Sequence, residues 1–580
     1  MTDFENLRHS SAHLLAAAVT SLWPEALPTI GPVIENGFYY DFDNLTVSET
    51  DFPKIEAEMK KIVKDWKSFE KIEIDAKDAE NTFKENPYKL ELIEDLSDKE
   101  EKITLYKSGD FLDLCSGGHI EDPKEIKYFK LLSVAGAYWR GSEKNKMLTR
   151  IYGTAFPTQK ELDEYLEQRA LAEESDHRKI GKDLNLFVFS DLVGKGLPLL
   201  TPKGSVIRRE LERFVVDEEL KRGYQHVYTP SLAKTELFKT SGHYPYYKET
   251  MYPVMKVDED ELILRPMTCP HHFMLYKSAP RSYKELPIKL AEIAPQFRYE
   301  KSGELSGLMR VRTFILSDSH IFATKEQATE IIKDVIDLIN FLNGKLGFEV
   351  GKDYRFRLSL GKRDDEKKFY KDDKAWDFAE KVLRDVLKDI DAPFFEAPGE
   401  AAFYGPKIDV QMKKVNGTEE TAFTVQYDFV MPKRFELKYI NEKGEEVEPI
   451  VIHRASIGAF ERSMAFIIEK YKGNFPTWLT PVQVKVLPIT DRNLDYANRV
   501  AKILRDNNIR VEVDERNETL GAKIRNAQNE KVAYMLIVGD KEEKSDAVSE
   551  RGRSGKDYGV HPLEKFVEDI KKKIEEKSIN

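Results

Sequence analysis

The apolar positions of this chain change their period several times along its length, and each change marks an element. Near the start HSSAHLLAAAVTSLW (His9–Trp23) is apolar almost without a break and predicts a buried helix. Residues 158–185 scatter leucines through a charged background and predict a solvated linker helix, with His177, Arg178 and Lys179 at its end as a candidate RNA contact. From Gly204 to Pro230 an amphipathic pattern runs into a strand that stops at the proline, and Gly458–Arg462 opens an apolar helical run through Ile468. Over 186–476 strands and helices follow one another without a regular βαβ rhythm, which favours an antiparallel sheet flanked by helices. After PTWLTP the chain alternates VQVKVLPI, LDYANRVAKIL, RVEVDE, LGAKIRNAQN and AYMLIVGD before a charged helix, a pattern that predicts a small α/β domain with a mixed sheet. The fold class is therefore α+β and multidomain, divided into residues 1–157, 158–185, 186–476 and 477–580.

Length and charge narrow the picture. A chain of 580 residues exceeds one core and implies roughly three to four domains. Its formal net charge of −11 excludes a generic polycation, so nucleic-acid binding has to rest on local basic surfaces. No apolar run approaches a membrane span and no secretion signal opens the chain, so a cytoplasmic location is expected. Two cysteines cannot make a disulfide framework, and both lie near histidines, which favours chemistry or metal binding. No Walker loop or dinucleotide fingerprint occurs, so arginines would have to hold any nucleotide.

The candidate chemistry concentrates between Arg265 and Phe322, which contains RPMTCPHH, FRYE, GLMRVRTF and SDSHIF. Arg298 and Glu300, two apart, would share one face of a strand, the arginine forking onto a phosphate and the glutamate accepting from an exocyclic amine. Arg310 and Arg312 follow, then Phe314 as a face for a purine; a surface strand pair with a charged turn fits the same residues. In the N-terminal part His9 and His13 lie four apart on a helix, and Cys115 and His119 lie four apart around two glycines. Those residues fit a four-ligand zinc site or two unrelated pairs.

The helix–strand–Pro segment, FRYE and Gly458-Ala459-Phe460-Glu461-Arg462, in that order, resemble the motif set of class II aminoacyl-tRNA synthetases, and along essentially its whole length the chain resembles the threonyl-tRNA synthetase family. The resemblance implies a class II antiparallel core, an N-terminal α+β editing domain and a C-terminal α/β anticodon-binding domain. It implies ATP, L-threonine and tRNA(Thr) as partners, Mg2+ with the ATP, and a homodimer formed through the first motif. Arg298, Glu300, Arg310, Phe314, Gln426 and Arg462 carry over as the ATP site, Met267, Asp318, Tyr404 and Lys407 as the threonine site, and His243 as the group assisting transfer to tRNA. Cys269, His320 and His453 align with the ligands of one Zn2+ per chain.

A three-ligand zinc leaves coordination open for the amino group and β-hydroxyl of threonine, which valine cannot match. Serine matches both and lacks one methyl, worth only ~1–3 kcal/mol, so a hydrolytic check becomes necessary. His9, His13, Cys115 and His119, with Asp113, Lys89, Tyr40 and Tyr106, resemble that family's metal-free editing pocket; a zinc-dependent hydrolase is the competing assignment. Asn517, Arg525, Glu542 and Arg551 match its anticodon readers. Nothing before His9 matches the small ubiquitin-like domain that the family often carries. Two positions depart from the pattern: Leu316 replaces a usual glutamine and Ala459 a usual serine, implying weaker threonine binding or a compensating contact. They are also the only support for an alternative, a non-catalytic paralogue that binds tRNA-like RNA.

Overall fold

The computed structural model describes residues 2–365 and 368–579. They form two compact units, Met1–Ala170 and Leu171–Asn580. The expected linker is therefore divided: the helix Gln159–Ser175 runs across the boundary, and a second helix, His177–Asp183, starts where Asp176 accepts a hydrogen bond from the Arg178 amide. Among the described residues no helix is long and apolar enough to cross a membrane.

In the first unit the apolar N-terminal helix, Asp3–Leu22, is buried from Leu7 to Val19 apart from His9, and it packs on a sheet built around Gly37–Asp43, Met147–Phe156 and Tyr128–Tyr138. A Thr2–Glu5 capping box fixes its start. A second sheet, Glu70–Ile74, Ile103–Ser108 and Phe111–Leu114, carries Tyr106 and Asp113 on directly paired positions.

The second unit is organised by an eight-stranded sheet. Its central strands, in spatial order Ile288–Phe297, Thr313–Ala323, Ile450–Ala459, Glu419–Asp428, Lys407–Lys413 and Tyr354–Leu360, are antiparallel throughout, as the pattern predicts. Both outer strands, Gln225–His226 and Phe394–Pro398, pair in parallel, a feature not foreseen. The reason for two distinct faces is the strand period. Along Thr313–Ala323 the residues Phe314, Leu316, Asp318 and His320 point to a cavity, while Ile321 and Ala323 enter the core beneath the helix Ala328–Lys345. That helix buries Ile331, Ile332, Val335, Ile336, Leu338, Ile339 and Leu342, each such side chain contributing roughly 2 kcal/mol.

The C-terminal part is a five-stranded mixed sheet. Val511–Val513, Val484–Pro488 and Tyr534–Val538 run parallel, and a hairpin, Ala547–Gly552 with Asp557–Pro562, adds the antiparallel strands.

Candidate active site

A cavity of about 730 Å³ opens on the polar face of the large sheet. His320 and His453 are direct cross-strand partners, with ring centroids 4.6 Å apart, and Gln426 pairs with His453 on its other side. Cys269 begins the helix Cys269–Lys277 beside them. One donor atom from each of Cys269, His320 and His453 lies within 4.8 Å of the others.

The surrounding hydrogen bonds decide which ring nitrogens are bare. His453 Nε2 donates to Asp428 Oδ2 at 2.8 Å, leaving Nδ1 as the lone-pair atom. His272, three residues after Cys269 and on the same helical face, donates from Nε2 to Glu292 Oε2 at 3.2 Å. His272 then accepts at Nδ1 from His320 Nδ1, 2.9 Å away, which leaves His320 Nε2 bare. Burial alone would raise the Glu292 carboxyl, but His272, Thr229 and the Arg265 guanidinium bring it down to about 2. Burial and the neighbouring His453 hold His320 neutral. Sulfur with two imidazoles, each imidazole oriented by an outer partner, fits a zinc held by three protein ligands with coordination left open.

Next to this cluster Asp318 is buried, and Gln296 Nε2 donates to its Oδ2 at 3.1 Å. Tyr404 donates to Gln426 Oε1 at 2.5 Å and packs against the His453 ring. Met267 also lines the cavity. Lys407 does not: it pairs with Asp409 at 2.8 Å, in a cluster that Arg357 and Ser359 complete. His243 lines the wall with Nδ1 2.8 Å from Ser241 Oγ, and burial together with His453 and Arg434 lowers it to about 3.

The strand expected to carry Arg298 and Glu300 ends at Phe297. Beyond it the Tyr299 amide bonds to Thr250 O and the Glu300 amide folds back onto Arg298 O, so the two side chains reach the cavity from a turn rather than from a pleat. The Arg298 guanidinium lies over the Phe314 ring at 5.1 Å. Glu300 takes Arg310 at 2.8 Å. Arg462, at the start of the helix Phe460–Tyr471, is anchored by Met309 O and Thr421 O. Burial lowers Arg298 and Arg462 below the usual arginine range, and Arg298 also depresses Arg462, so the wall is poised for an anion. Glu461 is structural: it accepts from the Ile315 amide at 3.0 Å.

His177 corrects another expectation. It is buried, Nδ1 donating to Glu469 at 2.7 Å and Nε2 accepting from the Leu308 amide at 3.0 Å, so it offers nothing to RNA.

In the first unit His9, His13, Cys115 and His119 also bring one donor atom each within 4.8 Å. Cys115 Sγ is 3.5 Å from His9 Nε2 and 3.4 Å from His119 Nε2. Lys89 Nζ meets Asp113 Oδ1 at 2.5 Å, Tyr40 donates to the other carboxylate oxygen, and His13 lies 4.0 Å from it. The Tyr106 ring stands 4.6 Å from that of His119. Burial holds His9, His13 and His119 neutral, His119 down to about 2, and pushes the Cys115 thiol up to about 11. Ser10, unmarked in the sequence reading, joins the Ile120 amide to His119 Nδ1.

In the C-terminal part Asn517 and Arg525 are exposed, the latter on the helix Leu520–Asn529. Glu542 accepts from the Gly539 amide at 3.0 Å, and Arg551 pairs with Asp557 at 3.3 Å.

The chain matches three family models: "tRNA synthetase class II core domain (G, H, P, S and T)" over residues 252–471, "Anticodon binding domain" over 483–573, and "Threonyl and Alanyl tRNA synthetase second additional domain" over 103–152. It is 49% identical over 566 residues to a threonine–tRNA ligase of Staphylococcus carnosus, covering 97% of this chain and 87% of that protein. With the threonine–tRNA ligase of Anoxybacillus flavithermus it shares 50% over 572 residues, 98% of this chain and 88% of the relative. Among solved structures it is similar to the RNA binding domain of threonyl-tRNA synthetase from Cryptosporidium parvum, with a TM-score of 0.65, 35% identity, and coverage of 68% of this chain and 98% of that one.

Proposed function

The chain belongs to the threonine–tRNA ligase family, and from that premise we propose how its residues divide the work. The enzyme activates threonine with ATP and joins it to tRNA(Thr), and its second additional domain equips it for editing. Relatives that are ligases across nearly the whole chain do not favour a non-catalytic RNA binder.

In the large cavity Arg298, Arg310 and Arg462 hold the ATP phosphates, to which Mg2+ would add further positive charge when bound, while Phe314 and Glu300 take the adenine. Cys269, His320 and His453 hold Zn2+, which supplies open coordination for the amino group and hydroxyl of threonine. Asp318 accepts the hydroxyl proton and Tyr404 borders the amino acid. The threonine carboxylate attacks the α-phosphate, breaking its bond to the β-phosphate and releasing pyrophosphate to leave threonyl-adenylate, while Arg298 and Arg462 stabilise the developing charge. His243, neutral because buried, accepts the proton of the attacking tRNA hydroxyl. Lys407 serves this site at one remove, by fixing Asp409 on the neighbouring strand.

In the first unit neutral His9, His13 and His119 with Cys115 direct water onto the ester of mis-charged seryl-tRNA(Thr), while Lys89 and Tyr40 hold Asp113. Asn517, Arg525, Glu542 and Arg551 read the anticodon. A homodimer fits the exposed apolar side chains Phe189, Leu192, Val193, Leu199 and Tyr228 that flank the helix Pro202–Lys221.

The observation that carries this reading is the convergence of one thiol and two oriented imidazoles on the wall that also holds Arg298 and Arg462. The test is ATP–pyrophosphate exchange with threonine, serine and valine on protein of measured zinc content. Exchange with threonine, some with serine and little with valine is expected. Absence of exchange from zinc-loaded protein overturns the reading.

A further inference from the structure

Gln296 is wholly buried and lines the cavity from the strand Ile288–Phe297. Both donors of its amide are used: Nε2 gives one hydrogen bond to Asp318 Oδ2 at 3.1 Å and one to Thr268 Oγ1 at 3.0 Å. A carboxylate only accepts, so this fixes which end of the amide is nitrogen. The amide oxygen is left without a partner among the described residues. An unpaired buried acceptor is costly, and native structures keep few of them outside functional sites.

The donor that satisfies it has to enter with the substrate. We propose that Gln296 is a substrate-positioning residue whose Oε1 accepts a hydrogen bond from the amino group of the bound amino acid, while its Nε2 holds Asp318 for the hydroxyl. The division follows from proton count. The hydroxyl of threonine has a single proton, which Asp318 takes; the amino group retains donors to spare. Gln296 thereby supplies from one strand an amide that the adjacent strand lacks, because Leu316 and Ala459 leave the neighbouring stretch of wall apolar. The inference rests on the reading of Asp318 and the three ligands as the threonine site.

The experiment uses zinc-loaded full-length protein and three ligands: L-threonine, L-2-aminobutyrate without the hydroxyl, and (R)-3-hydroxybutyrate without the amine, the last two as inhibitors of exchange. Gln296→Met is expected to weaken threonine and 2-aminobutyrate roughly 10-fold or more. Hydroxybutyrate, which loses only the Nε2 bond that orients Asp318, should weaken less than 2-aminobutyrate, and the KM for ATP and the zinc content should change by less than about 3-fold. Gln296→Glu, which keeps an acceptor but sets a second carboxylate beside Asp318, should give the opposite order, harming hydroxybutyrate more than 2-aminobutyrate. Equal losses for all ligands, or none, overturn the proposal; if Gln296→Met does not fold, the order seen in Gln296→Glu decides. Wild-type protein that fails to exchange with threonine would instead overturn the assignment of the site.

Discussion

Leu316 stands directly across from Ala459 in the pairing of Thr313–Ala323 with Ile450–Ala459. The two departures from the family pattern are therefore one feature. A register shift after Leu316 and the left-handed backbone of Gly458, φ +75°, bring them opposite each other; a Cβ on Gly458 would meet Ala422 O at 2.9 Å. Leu316→Gln alone is expected to leave the threonine KM within about 3-fold, since Gln296 already provides an amide. In a Gln296→Met background the same change should recover much of the lost affinity. A double-mutant cycle on threonine KM measures this coupling, and strictly additive effects would count against it.

His272 acts on the metal without touching it. Replacing it by alanine removes the acceptor that orients His320 and takes one partner from Glu292. Zinc affinity, measured by competition with a chromophoric chelator, should fall about 10- to 100-fold. His272→Asn, which offers an oxygen in a similar place, should fall less. Equal zinc affinity in all forms would refute the role.

Lys89 and Asp113 are both about 2% exposed, so the pair is buried without recourse to solvent. Lys89→Met leaves a carboxylate uncompensated and should destabilise the first unit by about 3–5 kcal/mol. Lys89→Met with Asp113→Asn together should be milder than Lys89→Met. Deacylation of seryl-tRNA should be lost in the single variant while threonine activation persists; retained deacylation would remove Lys89 from the site.

Acid should weaken the first unit before it affects the chemistry. Folded His119, near 2, lies below its ordinary 6.5, and burial lowers His9 and His13 as well. Between those values the unfolded chain binds more protons, so stability is complete above about pH 6.5 and declines as pH falls, by about 1.4 kcal/mol per pH unit for each proton. Thermal melts from pH 8 to 5 check this, with His119→Asn showing a shallower decline. Deacylation at constant temperature should stay flat between pH 8 and 7, because burial holds all three histidines below their ordinary 6.5.

Asp318 was assigned through family resemblance, and its place two before His320 on one strand is why both reach the cavity; the C-terminal strands were legible because their apolar runs are short and bounded. Arg298 and Glu300 were read on a strand that the backbone abandons at Phe297, since the bond from Tyr299 to Thr250 depends on a distant loop. Gln296 was invisible for a similar reason: its meaning comes from Asp318 and Thr268, brought together only by sheet register and the start of a helix. The metal candidates, scattered from Cys269 to His453, were assigned through family resemblance, because spacing of that kind carries no local signal. His177 looked like a surface base among charges, and nothing local announces a buried partner as remote as Glu469.

That histidine has a mechanical consequence. Its two nitrogens tie the helix His177–Asp183 to the helix bearing Arg462 and to the loop leading into Arg310, and Gly307 permits the approach, since a Cβ there would meet Nε2 at 2.2 Å. A pull on the short helix cannot be absorbed locally. It either breaks a shielded bond or drags the two phosphate-facing arginines with it, so tension at one end would be felt as a change of grip at the other.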